Sequence, residues 1–173
     1  MKISALTAFT TLSVLLLPTA SFANNQPLAK VDWSMSFAQV KQSQQHAPDD
    51  EIPSRLTYES QLFDMEFHQE YLFDDKGQLV NILYYNGFNS DATDCVSEYN
   101  RVKAEVEKHY GKVDTSAKTT KDLSHIAAEQ LCSHTSAGDY KLDSKWKNDN
   151  ANISFVLDAW KGQAYIGLSY KPL

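Results

Sequence analysis

The stretch "RLTYESQLFDMEFHQEYLFDDKGQLVNILYYN", Arg55 to Asn86, decides how this chain folds. Phe63, Met65, Phe67, Tyr71 and Phe73 fall on one parity, and Asp64, Glu66, His68 and Glu70 on the other. Successive side chains of a strand point to opposite sides, so this alternation predicts a strand with one buried and one wet face. Arg55 to Gln61 reads as a weaker strand, with Leu56 and Tyr58 on one parity. "DDKG" then supplies a turn in which Gly77 takes a positive φ, in a hairpin with a bulge. "QLVNILYYN" is apolar on both parities and reads as a central strand.

Helices flank this meander. Upstream, Ser36 and Gln39 form a Ser-x-x-Gln capping box, with Met35 and Val40 placed as a hydrophobic staple. A short helix is expected from about Phe37, stopped by Pro48. Downstream, Asp94 is a candidate N-cap. Cys95, Tyr99, Val102, Val106 and Tyr110 then recur at helical spacing, and Gly111 closes the helix. Arg101–Glu105 and Lys103–Glu107 are expected i,i+4 pairs on its surface. Leu123, Ile126, Ala127 and Leu131 predict a second, short amphipathic helix ending near Cys132. Three more strands follow: "YKLDSKWKN", "NISFVLDAW" and "AYIGLSYKPL", the last two joined by a tight turn at Lys161-Gly162. The expected fold is α+β: an antiparallel sheet of two three-stranded meanders, with helices packed on one face in two layers.

The N-terminus reads as an export signal. Lys2 precedes an apolar run densest at Leu12 to Leu17. Pro18 breaks the run, and Ser21-Phe22-Ala23 places small residues at a cleavage site. The run is too short for a membrane span of about 20 residues. The expected organisation is a signal peptide over 1–23, a flexible lead-in over 24–32 and a single α+β domain over 33–173. No transmembrane span is expected in the mature chain. Removing the signal takes away Lys2 and no acid, so the net charge of −6 becomes more negative. An acidic domain repels nucleic acid and anionic lipid and suits a basic partner.

Two cysteines, Cys95 and Cys132, lie 37 residues apart. Cys95 at a helix start has three readings: nucleophile, metal ligand, or half of a disulfide. Neither cysteine has C-x-x-C spacing. His109 lies about four turns down the same helix, out of reach of Cys95. In an exported chain two cysteines pair, and a loop of this length stabilises by about 4 kcal/mol in the chain-entropy model. The disulfide Cys95–Cys132 is therefore expected.

Catalytic and metal motifs do not surface. His46, His68, His109, His125 and His134 form no H-x-H, H-x-x-x-H or H-E-x-x-H pattern. There is no G-x-S-x-G, P-loop or G-x-G-x-x-G. Asn89, Asp91 and Asp94 resemble the start of a calcium loop but lack its glycine and closing glutamate, so they read as a cap and turn. No catalytic residue, cofactor or metal is expected. Asp64, Glu66 and Glu70 read as a wet sheet face. Aromatic residues are the notable excess. Tyr84 and Tyr85 must face opposite ways in a strand, Phe88 sits in a polar loop, and Asp158 and Trp160 oppose the parity of Phe155 and Leu157. Tyr84, Tyr85, Phe88, Asp158 and Trp160 form the candidate interaction surface, since aromatics anchor interfaces.

The run Trp33-x-Met35-Ser36-x-x-x-Val40, followed by "FDDKGQLVNILYY", resembles a layout of small exported bacterial domains. It is similar in architecture to the beta-lactamase inhibitory protein and to the small lipoprotein of the outer-membrane assembly machine. The resemblance covers mainly residues 33–86, with an echo in 94–170. It implies a domain that binds other proteins and catalyses nothing, with no functional residue carried over; the lipoprotein's acylated cysteine has no counterpart here. The expected function is a periplasmic or secreted protein-binding module, as inhibitor, immunity protein or envelope accessory factor. The alternatives are a small-ligand carrier with an aromatic-lined pocket between sheet and helix, and a hydrolase without a recognisable motif.

Overall fold

Tight turns set the register of this molecule. The computed structural model describes residues 32–89 and 91–173. The expected signal peptide and nearly all of the lead-in lie outside these. Helix α1, Phe37–Ser43, carries the complete capping box between Ser36 and Gln39 and buries Val40. Strands β1 (Asp50–Ile52), β2 (Arg55–Leu62), β3 (Met65–Phe73) and β4 (Leu79–Gly87) follow as consecutive antiparallel neighbours. Gly77 has φ 73°, and the β3–β4 register shifts between Leu72 and Phe73, the expected turn and bulge.

Helix α2 spans Cys95–Tyr110. Then come β5 (Ser116–Thr119), a 3-10 turn at Ala128–Gln130, α3 (Leu131–Ser136), β6 (Tyr140–Lys147), β7 (Ala151–Trp160) and β8 (Gln163–Pro172). The eight strands make one sheet in the order β1-β2-β3-β4-β8-β7-β6-β5, and every pairing is antiparallel. The α+β class follows from this sheet and the three helices of the described residues.

The strand count corrects the expected six. The additions, β1 and β5, are edge strands exposed at every position, so they show no buried periodicity to read. Phe63 and Asp64 are not strand residues. They form the β2–β3 turn with φ 54° and 59°, a conformation usually held by Asn-Gly, and the Arg101 guanidinium donates to the Phe63 carbonyl at 2.8 Å. The second amphipathic helix begins near where it was expected to end. Leu123 and Ile126 lie in a turn before it, because a segment this short takes its helical length from packing rather than propensity. Asp94 occupies the N-cap position of α2 without a side-chain bond. On α2, Lys103 pairs with Glu107 as expected, but Arg101 pairs with Glu98 and Glu105 with Lys108. Reaching Phe63 draws Arg101 away from Glu105.

One core lies between the helices and one sheet face. Cys95, Tyr99, Val102 and Val106 are fully buried along α2. They meet Ile153, Phe155, Leu157, Ile166, Leu168 and Tyr170 from β7 and β8. The Tyr99 ring stacks on Phe155 with centroids 4.7 Å apart, and its hydroxyl lies 2.8 Å from Ser144 Oγ. The disulfide Cys95–Cys132 ties the start of α2 to α3. Among the described residues, no helix is long and apolar enough to cross a membrane.

Candidate functional site

Strand alternation that buries one face necessarily displays the other. Two register rows define that second face. One runs Lys145–Ser154–Ser169–Leu83–Glu70–Thr57 across six strands. The next runs Asp143–Val156–Gly167–Tyr85–His68–Glu59. Most of these residues are half-exposed or exposed. The sheet face bounds an open cavity of about 1040 Å³ here, lined from Arg55 on β2 to Lys145 on β6. Its floor is apolar and aromatic: Leu83, Tyr85, Val156, Tyr165 and Gly167, with Trp160 at one end.

Gly167 leaves little room for a side chain. A Cβ there would lie 3.0 Å from the Tyr165 ring and 3.6 Å from Val156, so the bare backbone lets Tyr165 lie across the centre of the face. Polar groups hold the surroundings. Ser169 Oγ donates to Asn81 Oδ1 at 2.8 Å. Lys145 pairs with Asp143 at 2.9 Å, and Lys141 with Asp158. Hydrogen bonding to Asp158 keeps the Lys141 ammonium above the usual lysine range. On the other half, Arg55 joins Asp50 at 2.6 Å and Glu70 at 3.3 Å, and His68 Nδ1 meets Glu59 at 2.7 Å. Burial, then the Glu70 charge, pushes the Tyr85 hydroxyl up; burial, then Asp158, does the same to Tyr165. Both phenols therefore stay neutral hydrogen-bonding groups on an aromatic platform.

The expected surface residues divide. Tyr85, Asp158 and Trp160 share this face, and Trp160 is 69% exposed. Tyr84 is a correction: it is 5% exposed in the core, where its hydroxyl accepts from Gln69 Nε2 at 2.9 Å. Opposite parity from Tyr85 makes that unavoidable once the helices cover one side. Phe88 lies beyond β4, half-buried against the core, with its N–H bonded to the Ala164 carbonyl. Tyr165, Val156, Gly167 and His68 escaped notice as site residues. Tyr165 was findable, since its parity opposes Ile166, Leu168 and Tyr170. The expected carrier pocket between sheet and helix is not where this cavity lies, which is the face away from the helices.

His68 is oriented by the Glu59 carboxylate, and its register row continues through Tyr85, Gly167 and Val156. Cys132, flanked in sequence by His125 and His134, is committed to the disulfide. Among the described residues, no three His, Cys, Asp or Glu side chains converge as metal ligands. In comparison with protein-family models, curated proteins and solved structures, nothing matches this chain.

Proposed function

We propose that this chain is an exported protein-binding module without catalytic activity, and that the open sheet face is its contact surface. The observation that carries the reading is a wide, polar-rimmed, aromatic-floored face on the side away from the helices. The six strands β2, β3, β4, β8, β7 and β6 span about 24 Å across at normal strand spacing, and eight to ten residues of strand give about 27 Å or more along it. That footprint of about 650 Å² is close to one side of a standard protein interface. The disulfide suits an oxidising compartment, and the N-terminal pattern suits export to the periplasm. An inhibitor, immunity or envelope accessory role fits a domain with such a surface. Net charge favours long-range approach of a basic partner.

A second reading has one observation in its favour: the cavity volume falls at the upper end for small-molecule sites. A carrier would enclose its ligand, whereas this face is broad and open, so the protein partner is preferred. The test compares tagged wild-type chain with Tyr85→Ala/Trp160→Ala and with a helix-side control, Lys108→Ala, in affinity purification from envelope extract at low salt. The expected result is a specific protein retained by wild type and control and lost, by about tenfold or more, from the double variant. Equal retention by all three contradicts the reading.

A further inference from the structure

The open face is electrically split. On the β5–β8 half, register places Lys118, Lys141, Lys145, Lys147 and Lys171 on this side, against Asp143 and Asp158. On the β1–β4 half the same side carries Asp50, Glu59, Glu66 and Glu70, against Arg55 and His68. Lysine predominates on one half and carboxylate on the other, in a chain whose net charge is −6.

The excess on the basic half is available. Among the described residues Lys118, Lys147 and Lys171 make no ion pair, while Lys141 and Lys145 each have one aspartate. Lys147 and Lys171 flank Asn152 in one register row. They are thus two strands, about 9.6 Å, apart, the span of three residues in an extended segment. Between the halves lies the uncharged strip of Tyr85, Gly167, Val156 and Tyr165.

We infer that the partner is a protein presenting a convex segment of split charge: acidic residues toward β6–β8, an apolar side chain seated on the Tyr165 ring, and basic residues toward β2 and β3. The inference rests on the open face being the contact surface. Reversed placement would set like charges against each other on both halves, so the arrangement selects orientation as well as partner. It also refines what net charge alone implies, because the end with the most unpaired charge seeks carboxylates.

The test uses the isotope-labelled chain and three synthetic peptides of about seven residues, long enough to run the ~19 Å from β6 to β3. One has aspartates, a central leucine and lysines; the others have the same leucine with aspartates only or lysines only. NMR titration is expected to show the split-charge peptide moving signals on both halves. Its binding should be about tenfold tighter than either uniform peptide, as a few exposed charge pairs provide. Lys145→Glu/Lys171→Glu should remove that advantage while leaving the amide spectrum of the helix side unchanged. Uniform and split peptides binding the open face equally would overturn the split-charge partner while leaving the contact surface in place. No movement of open-face signals by any peptide would overturn both. Concentration-dependent self-association that perturbs the same residues without peptide would replace the partner with a second copy of this chain.

Discussion

Tyr99 shows how a single residue couples helix to sheet. Its ring stacks on Phe155 and its hydroxyl meets Ser144, which also lies 3.0 Å from Thr115 Oγ1. Tyr99→Phe keeps the stacking and leaves Ser144 a partner, so chemical denaturation should show a loss of about 1 kcal/mol. Tyr99→Ala, which also opens a cavity, should lose about 4 kcal/mol. Glu107 supplies an acid-side prediction. Its bond from Lys103, then the Val113 N–H, holds its carboxyl below the usual range. A lowered carboxylate value stabilises fully above the unfolded value of about 4.3 and is lost as pH falls through the folded one. Glu107→Gln should therefore flatten the acid limb of the stability–pH curve; an unchanged limb counts against the interaction. Tyr84 and Tyr170 act at the other extreme. Burial raises both hydroxyls above the ordinary tyrosine value. Their contribution is intact below about pH 10 and lost as pH rises beyond it. Ultraviolet titration should show these phenols ionising together with unfolding, whereas free titration in the folded chain would contradict the packing.

Among the elements, the β2–β3 hairpin is the least expected and the most instructive. Phe63 and Asp64 both hold positive φ, which a bulky side chain resists. Phe63→Asn/Asp64→Gly supplies the residues such a turn prefers and should raise stability by about 1 kcal/mol, read as a higher denaturant midpoint with an unchanged slope. A lower midpoint would mean that the Phe63 contact with His109 outweighs the backbone gain. This turn was hidden because its residues continue the alternation of β3 unbroken, with no glycine or asparagine to interrupt it. The Lys161-Gly162 and Gly77 turns, by contrast, carry glycine at positive φ and could be read directly. The same logic separates the helices. The long stripe of α2 was plain, while α3 is too short to carry a period of its own. What fixes α3 is the bond from Cys132 to Cys95. Replacing both cysteines with alanine should cost about 4 kcal/mol under oxidising conditions, and little in a reduced chain.

At the scale of the whole molecule, the sheet's two faces have separate tasks. One is a continuous core under α1, α2 and α3; the other carries ion pairs, aromatic rings and the cavity. Alternation along β3 and β7 announced that two such faces exist. It could not say that β4 and β8 would be neighbours, and that pairing is what brings Tyr85 beside Gly167 and His68 into line with Val156. Asp158 and Trp160 were legible by parity, which left Tyr84 and Tyr85 undivided, whereas Gly167 and the lysine rows become meaningful only once strands from both halves of the chain are in register. A partner seated on this face would shield its aromatic rings. Covalent footprinting of the intact chain in envelope extract, against buffer alone, tests it most directly: labelling at Tyr85, Tyr165 and Trp160 should fall together while exposed helix-side residues such as Lys108 keep theirs. Unchanged labelling of the three aromatics with protection appearing on the helix side would contradict it.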